Sequence, residues 1–98
     1  MAMTISEKLL ARAAGKSEVH AGEIVQARVD KAMMDDILGP RIEIAENMEM
    51  LGAKVWDPSR VTIISDHYTP PANAKQAEIV KFTREWAQAH GIEHYYEF

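Results

Sequence analysis

Ser65-Asp66-His67 follows directly on the apolar run Val61-Thr62-Ile63-Ile64. Such a run reads as a buried strand, and in open α/β sheets the carboxyl ends of strands are where ligands sit. An aspartate beside a histidine at such an end suits general acid chemistry. The carboxylate holds the imidazole tautomer or raises its basicity, and the imidazole then gives up a proton near neutral pH. The same dipeptide also fits an aspartate that closes a turn beside a solvent-facing histidine. A second candidate is Asp35-Asp36. It follows the first expected strand as Asp66-His67 follows the second, so both pairs could line one sheet edge. Its chemistry would be substrate hydrogen bonding or acid/base work by a carboxylate. Capping of a helix N-terminus, favoured by the macrodipole, is the plainer alternative.

Other polar residues offer less. His20, His90 and His94 lack metal-ligand spacing. His90 falls in the last turn of an expected helix, where a cation suits the dipole. Gly15-Lys16-Ser17 lacks the upstream glycine, the spacer and the preceding strand of a phosphate loop.

The elements that must position these residues are legible in outline. Thr4 to Ala14 reads as a helix, with Thr4 and Glu7 as a capping box, Gly15 as its stop, and Ile5, Leu9, Leu10 and Ala13 as its apolar face. Ile24 to Val29 alternates as a strand does. Asp30 to Gly39 is ambiguous. A helix is expected from about Pro40 to Leu51, with Ile44, Met48 and Leu51 as its buried stripe and Gly52 as its stop. Asp57-Pro58-Ser59-Arg60 is a turn. Val61 to Ser65 is short and β-branched, as a strand covered on both faces should be. Asn73 caps a long helix with Gln76 three residues on, and Ile79, Phe82, Trp86 and Ala89 share a face that ends at Gly91. Ile92 to Phe98 reads as a third strand, with Tyr95 and Tyr96 on opposite faces. Phe82, Trp86 and the six methionines are expected in the core. The order α, then β-α-β-α-β, predicts a single α/β domain over residues 1–98. Its sheet should be small and mainly parallel, with an exposed edge.

Composition narrows the function. At 98 residues and 47% hydrophobic content, a packed core is within reach without staples. The chain has no cysteine. That excludes disulfides, thiolate zinc sites and any iron–sulfur cluster held by cysteines of these residues. A cytoplasmic home fits. The 11 Lys and Arg are scattered and the formal charge is −4, which argues against nucleic acid. No apolar run approaches the roughly 20 residues that span a bilayer, and Met1 to Glu7 lacks the features of a signal peptide.

The order of Thr4-Ile5-Ser6-Glu7-Lys8, Gly15, Ala21-Gly22-Glu23-Ile24-Val25, Val29-Asp30, Val55-Trp56-Asp57-Pro58, Asp66-His67-Tyr68-Thr69-Pro70 and Gly91-Ile92 resembles the N-terminal segment of the aconitase superfamily. The similarity is greatest to the large subunit of 3-isopropylmalate dehydratase and the related homoaconitase type. It covers nearly the whole chain, and the Val-Trp-Asp-Pro and Asp-His-Tyr-Thr-Pro blocks are its specific part. The resemblance implies a hydro-lyase that dehydrates and rehydrates hydroxy di- or tricarboxylic acids, in leucine biosynthesis for the isopropylmalate enzyme. It implies a [4Fe–4S] cluster held by three cysteines, whose free iron acts as a Lewis acid. Asp66 and His67 would match the pair that protonates the leaving hydroxyl, and Asp35 a substrate contact after the first strand.

Two departures stand out. Leu38 replaces a usual threonine, and the contact at Asp35 is more often Asn, His or Gln, which points to a substrate other than isopropylmalate. The cluster cysteines lie past the matched segment, and a catalytic base comes from another domain, on a separate small subunit. The expectation is an N-terminal fragment of a large subunit, inactive alone, whose parent binds a hydroxy acid and the small subunit. Two rivals are a stand-alone module acting through its open sheet edge, and a small enzyme that uses the two acidic sites without a cluster.

Overall fold

A computed structural model of the chain describes residues 2–37 and 42–97. They form two compact units, Met1–Asp30 and Lys31–Phe98.

In the first unit, helix α1 (Ile5–Ala14) is fixed at both ends by its sequence. Thr4 Oγ1 accepts from the Glu7 N–H at 3.2 Å, and Glu7 Oε2 accepts from the Thr4 N–H at 2.7 Å. This is the reciprocal pairing of a capping box. Gly15 stops the helix at φ 67°. In that conformation its N–H reaches Arg12 O at 3.3 Å and the Lys16 N–H reaches Ala11 O at 2.9 Å. The expected apolar face is not the covered one. Ile5, Leu9 and Leu10 are exposed, whereas Ala11 is buried. Nor is Ile24 to Val29 a strand; Ile24 is 98% exposed. Alternation makes a strand only where a neighbour takes up the backbone hydrogen bonds. Here the Arg28 N–H donates instead to Ala13 O at 2.9 Å.

In the second unit the elements run β1 (Ala32–Asp35), α2 (Ile42–Met50), a 3-10 turn (Pro58–Arg60), β2 (Val61–Ser65), α3 (Ala74–Ala89) and β3 (His94–Glu97). The first strand therefore lies in the stretch that sequence left ambiguous. Among the described residues all pairing is parallel in the order β1-β2-β3 and the sheet is open at both edges, so the expected small parallel α/β sheet is present. Ala32 lies opposite Val61 and Asp35 opposite Ile64, while Thr62 meets His94 and Ser65 meets Glu97. This register sets the carboxyl ends of β1 and β2 side by side. No helix among the described residues is long and apolar enough to cross a membrane.

One face of β2 carries the core. Val61 and Ile63 pack with Trp86 and Ala87 of α3 and with Ile92, and Ala32, Met34, Ala45, Met48, Phe82 and Tyr95 close around them. The other face, Thr62 and Ile64, is only half-buried rather than fully covered. The expected stripe of α2 holds at Met48, which packs on the core beside Ala45, but not at Ile44 and Leu51, which are exposed. The expected start of that helix at Pro40 lies outside the described residues, as does Leu38. Met33 and Met50 are exposed, so the methionines are not uniformly core. α3 begins as expected, with Asn73 Oδ1 accepting from the Gln76 N–H at 3.0 Å. Its Ile79 and Phe82 are half-buried and Trp86 is buried, but Ala89 is exposed. Tyr95 packs on the core while Tyr96 is exposed, as their alternation requires. The expected strand end at Phe98 is outside the described residues.

Candidate active site

The register that aligns β1 with β2 brings together the two acidic pairs. Asp35 is the last residue of β1 and Asp36 follows it. Ser65 is the last residue of β2, followed by Asp66, His67 and Tyr68. Adjacent residues at a strand end point to opposite sides, and the two aspartates divide accordingly. The Asp35 side chain is 32% exposed, and its Oδ1 accepts from the Ile37 N–H at 2.9 Å. The Asp36 side chain is fully buried.

Asp36 is the hub of the site. Its Oδ1 accepts from the His67 N–H at 3.3 Å and lies 3.1 Å from His67 Nδ1. Its Oδ2 accepts from the Ser65 hydroxyl at 3.3 Å and from the Tyr68 N–H at 3.1 Å. A buried carboxylate is costly unless its lone pairs are met. Here one hydroxyl, two backbone N–H groups and one imidazole meet them, and the three donor residues come from the end of β2 (Ser65) and the turn after it (His67, Tyr68).

His67 faces three carboxylates through one nitrogen. Its Nδ1 lies 2.9 Å from Asp66 Oδ1, 3.1 Å from Asp36 Oδ1 and 3.9 Å from Asp35 Oδ2. The largest single influence on the ring is desolvation, which disfavours the cation. The hydrogen bond to Asp36, then the charges of Asp66, Asp35 and Asp36, together outweigh it and raise the pKa above the ordinary histidine value. The ring is 44% exposed and Asp66 beside it 48%. Both line a cleft of 370 Å³ with Met33, Met34, Asp35 and Ile64. An imidazole with one nitrogen committed to carboxylates has the other left for a reacting group. That arrangement can hold a proton near neutral pH and release it to a ligand.

Asp35, Asp36 and His67 could each offer one ligand atom, and these atoms lie within 4.8 Å of one another. A cation there would have to displace donors already bound to Asp36. The set is therefore better read as a carboxylate–histidine hydrogen-bonding site than as a metal centre.

The sequence candidates Asp66, His67 and Asp35 thus sit at one sheet edge. The residue that sequence reasoning undervalued is Asp36. The signal that could have found it is the doublet itself, since of two consecutive residues leaving a strand that packs on a core, one turns inward. The other histidines serve elsewhere. His20 pairs with Glu18 at 3.8 Å. His90 stacks on Trp86 with ring centroids 3.9 Å apart. His94 opens β3 opposite Thr62, away from the carboxyl ends.

A three-stranded parallel sheet with a histidine among carboxylates at its carboxyl edge is an arrangement whose chemistry suits acid catalysis. Comparison with known proteins narrows this. No family model matches the chain. It is 49% identical, over 99% of its length, to the 3-isopropylmalate dehydratase large subunit of Thermodesulfovibrio yellowstonii, of which it covers 23%. The corresponding identities are 43% for the protein of that name from Aquifex aeolicus, covering 22% of it, and 42% for large subunit 1 from Methanopyrus kandleri, covering 23% of it. The resemblance read from the motifs is borne out: along nearly its whole length the chain is similar to part of 3-isopropylmalate dehydratase large subunits. It spans under a quarter of the length of these curated relatives.

Proposed function

We propose that these residues form the part of an aconitase-type hydro-lyase, of the 3-isopropylmalate dehydratase kind, that handles the proton of the leaving hydroxyl. The observation that carries this is His67 Nδ1 held among three carboxylates beside a cleft, at the carboxyl ends of two neighbouring parallel strands. In dehydration of a hydroxy di- or tricarboxylic acid the C–O bond breaks and a neighbouring carbon loses its proton. His67 gives its proton to the departing oxygen, which leaves as water, and takes it back in hydration. Asp66 supports the cation by its charge. Asp35 is the substrate contact. Its negative charge would repel an acidic substrate were it not set against protonated His67 at 3.9 Å.

The resemblance implies a [4Fe–4S] cluster, but the residues here do not fit one. There is no cysteine in the chain, and the carboxylates and imidazole of the site are not the thiolate set such a cluster takes. No step is assigned through it. Cluster ligands and the base for the carbon-bound proton come from other parts of the parent enzyme, the base from its small subunit, and the 98 residues alone are inactive.

The test is a segment exchange. The matching segment of the Thermodesulfovibrio yellowstonii large subunit is replaced by these 98 residues and assembled with its small subunit. Isopropylmalate and related hydroxy acids are then assayed. The exchanged enzyme should turn over, and His67→Ala should lower kcat about 10²- to 10⁴-fold, the scale of a lost general acid. Full activity of the His67→Ala enzyme would refute the role.

A further inference from the structure

We propose that Asp36, rather than Asp66, is the positioning residue that fixes the tautomer and aim of His67. The inference rests on the proton-donor reading of His67 and says how the donor is held.

Asp66 is the nearer of the two to Nδ1, at 2.9 Å against 3.1 Å. Distance does not decide, because Asp66 is about half exposed and water competes for its oxygens. Asp36 is fully buried, and its carboxylate is locked by donors on both oxygens. One oxygen, Oδ1, receives both the backbone N–H of His67 and its ring Nδ1. This ties the imidazole to its own main chain through a single fixed atom and sets both side-chain torsions. The other oxygen holds Ser65 and Tyr68, so the turn that carries His67 is anchored by the same carboxylate. An ionised carboxylate can only accept. Nδ1 must therefore keep its hydrogen in the neutral ring as well as in the cation. Nε2 is the nitrogen that trades its proton with the substrate, and it returns to the same place after each turnover.

The test reads the tautomer directly and needs no enzyme activity. The 98-residue chain is labelled with ¹⁵N, and the two His67 ring nitrogens are observed at a pH where the ring is neutral. The wild type and Asp66→Asn should both show the Nδ1–H form in excess by about tenfold or more, the scale of one charge-assisted hydrogen bond. Asp36→Asn should lose that excess. A wild-type ring in the Nε2–H form, or loss of the Nδ1–H form in Asp66→Asn, overturns the proposal. The exposed Asp66 variant and the wild type decide the matter even if Asp36→Asn does not fold. An inactive segment exchange with the tautomer as described would remove the hydro-lyase reading and leave this one standing. An active exchange with the wrong tautomer would do the reverse.

Discussion

Replacing Asp36 by alanine should be among the most damaging single changes in the second unit. The carboxylate is the acceptor for the His67 and Tyr68 N–H groups at 3.3 and 3.1 Å and for the Ser65 hydroxyl at 3.3 Å. Ser65 can turn its hydroxyl, but the two backbone donors are fixed. Each hydrogen bond to a charged group contributes roughly 1.5–3 kcal/mol, so losing two gives about 3–6 kcal/mol. Relief of the buried charge offsets part of this, since an isolated buried carboxylate is itself unfavourable. A net loss of about 2–5 kcal/mol is expected, a large share of the roughly 5–15 kcal/mol that holds a domain together. Asp66→Ala, at a half-exposed side chain, should cost less than about 1 kcal/mol. Urea unfolding of the 98-residue chain, followed by circular dichroism, measures both. Equal effects of the two substitutions would refute the hub assignment, as would a loss below about 1 kcal/mol for Asp36→Ala.

Three further outcomes follow from the same contacts. The pKa of His67 is raised in the fold. Its contribution to stability is therefore complete below the unfolded value of about 6.5 and is lost as pH rises through the folded value. Unfolding free energies measured from pH 5 to 9 should show that decline in the wild type and not in His67→Gln. Ile63 is fully buried at the centre of β2, so Ile63→Ala should cost about 2–5 kcal/mol, read from the urea midpoint. Arg84 makes a two-pronged contact with Glu97 at 2.6 and 3.1 Å. It lies on the surface, so Arg84→Ala should cost under about 1 kcal/mol and lose its effect at high salt.

What sequence reveals here depends on whether the deciding interaction is local. The caps of α1 and α3 are settled within a few residues: Thr4, Glu7 and Asn73 act as their spacing suggests, while the Gln76 side chain accepts from the Ala72 N–H one residue before the cap. β2 is apolar and β-branched throughout and reads correctly. β1 does not, because Ala32-Met33-Met34 carries weaker strand preference than Ile24 to Val29. Pairing with β2 overrides that preference. The inward face of α2 is read only in part, for the same kind of reason. Met48 packs inward as expected, but Ile44 and Leu51, though strongly apolar, stay exposed while Ala45 joins the core. At the site, Asp66 and His67 stand out as neighbours in sequence. The stronger partner, Asp36, is separated from His67 by 31 residues and meets it only through strand register.

The most direct test of His67 as proton donor is the pH–rate profile of the segment-exchanged enzyme in the dehydration direction. A donor must be protonated, so kcat should fall on the alkaline side with a limb above the ordinary histidine value, as the raised pKa requires. His67→Gln should retain a small residual rate without that limb. An unchanged alkaline limb in His67→Gln would contradict the assignment and place the proton donor on another residue.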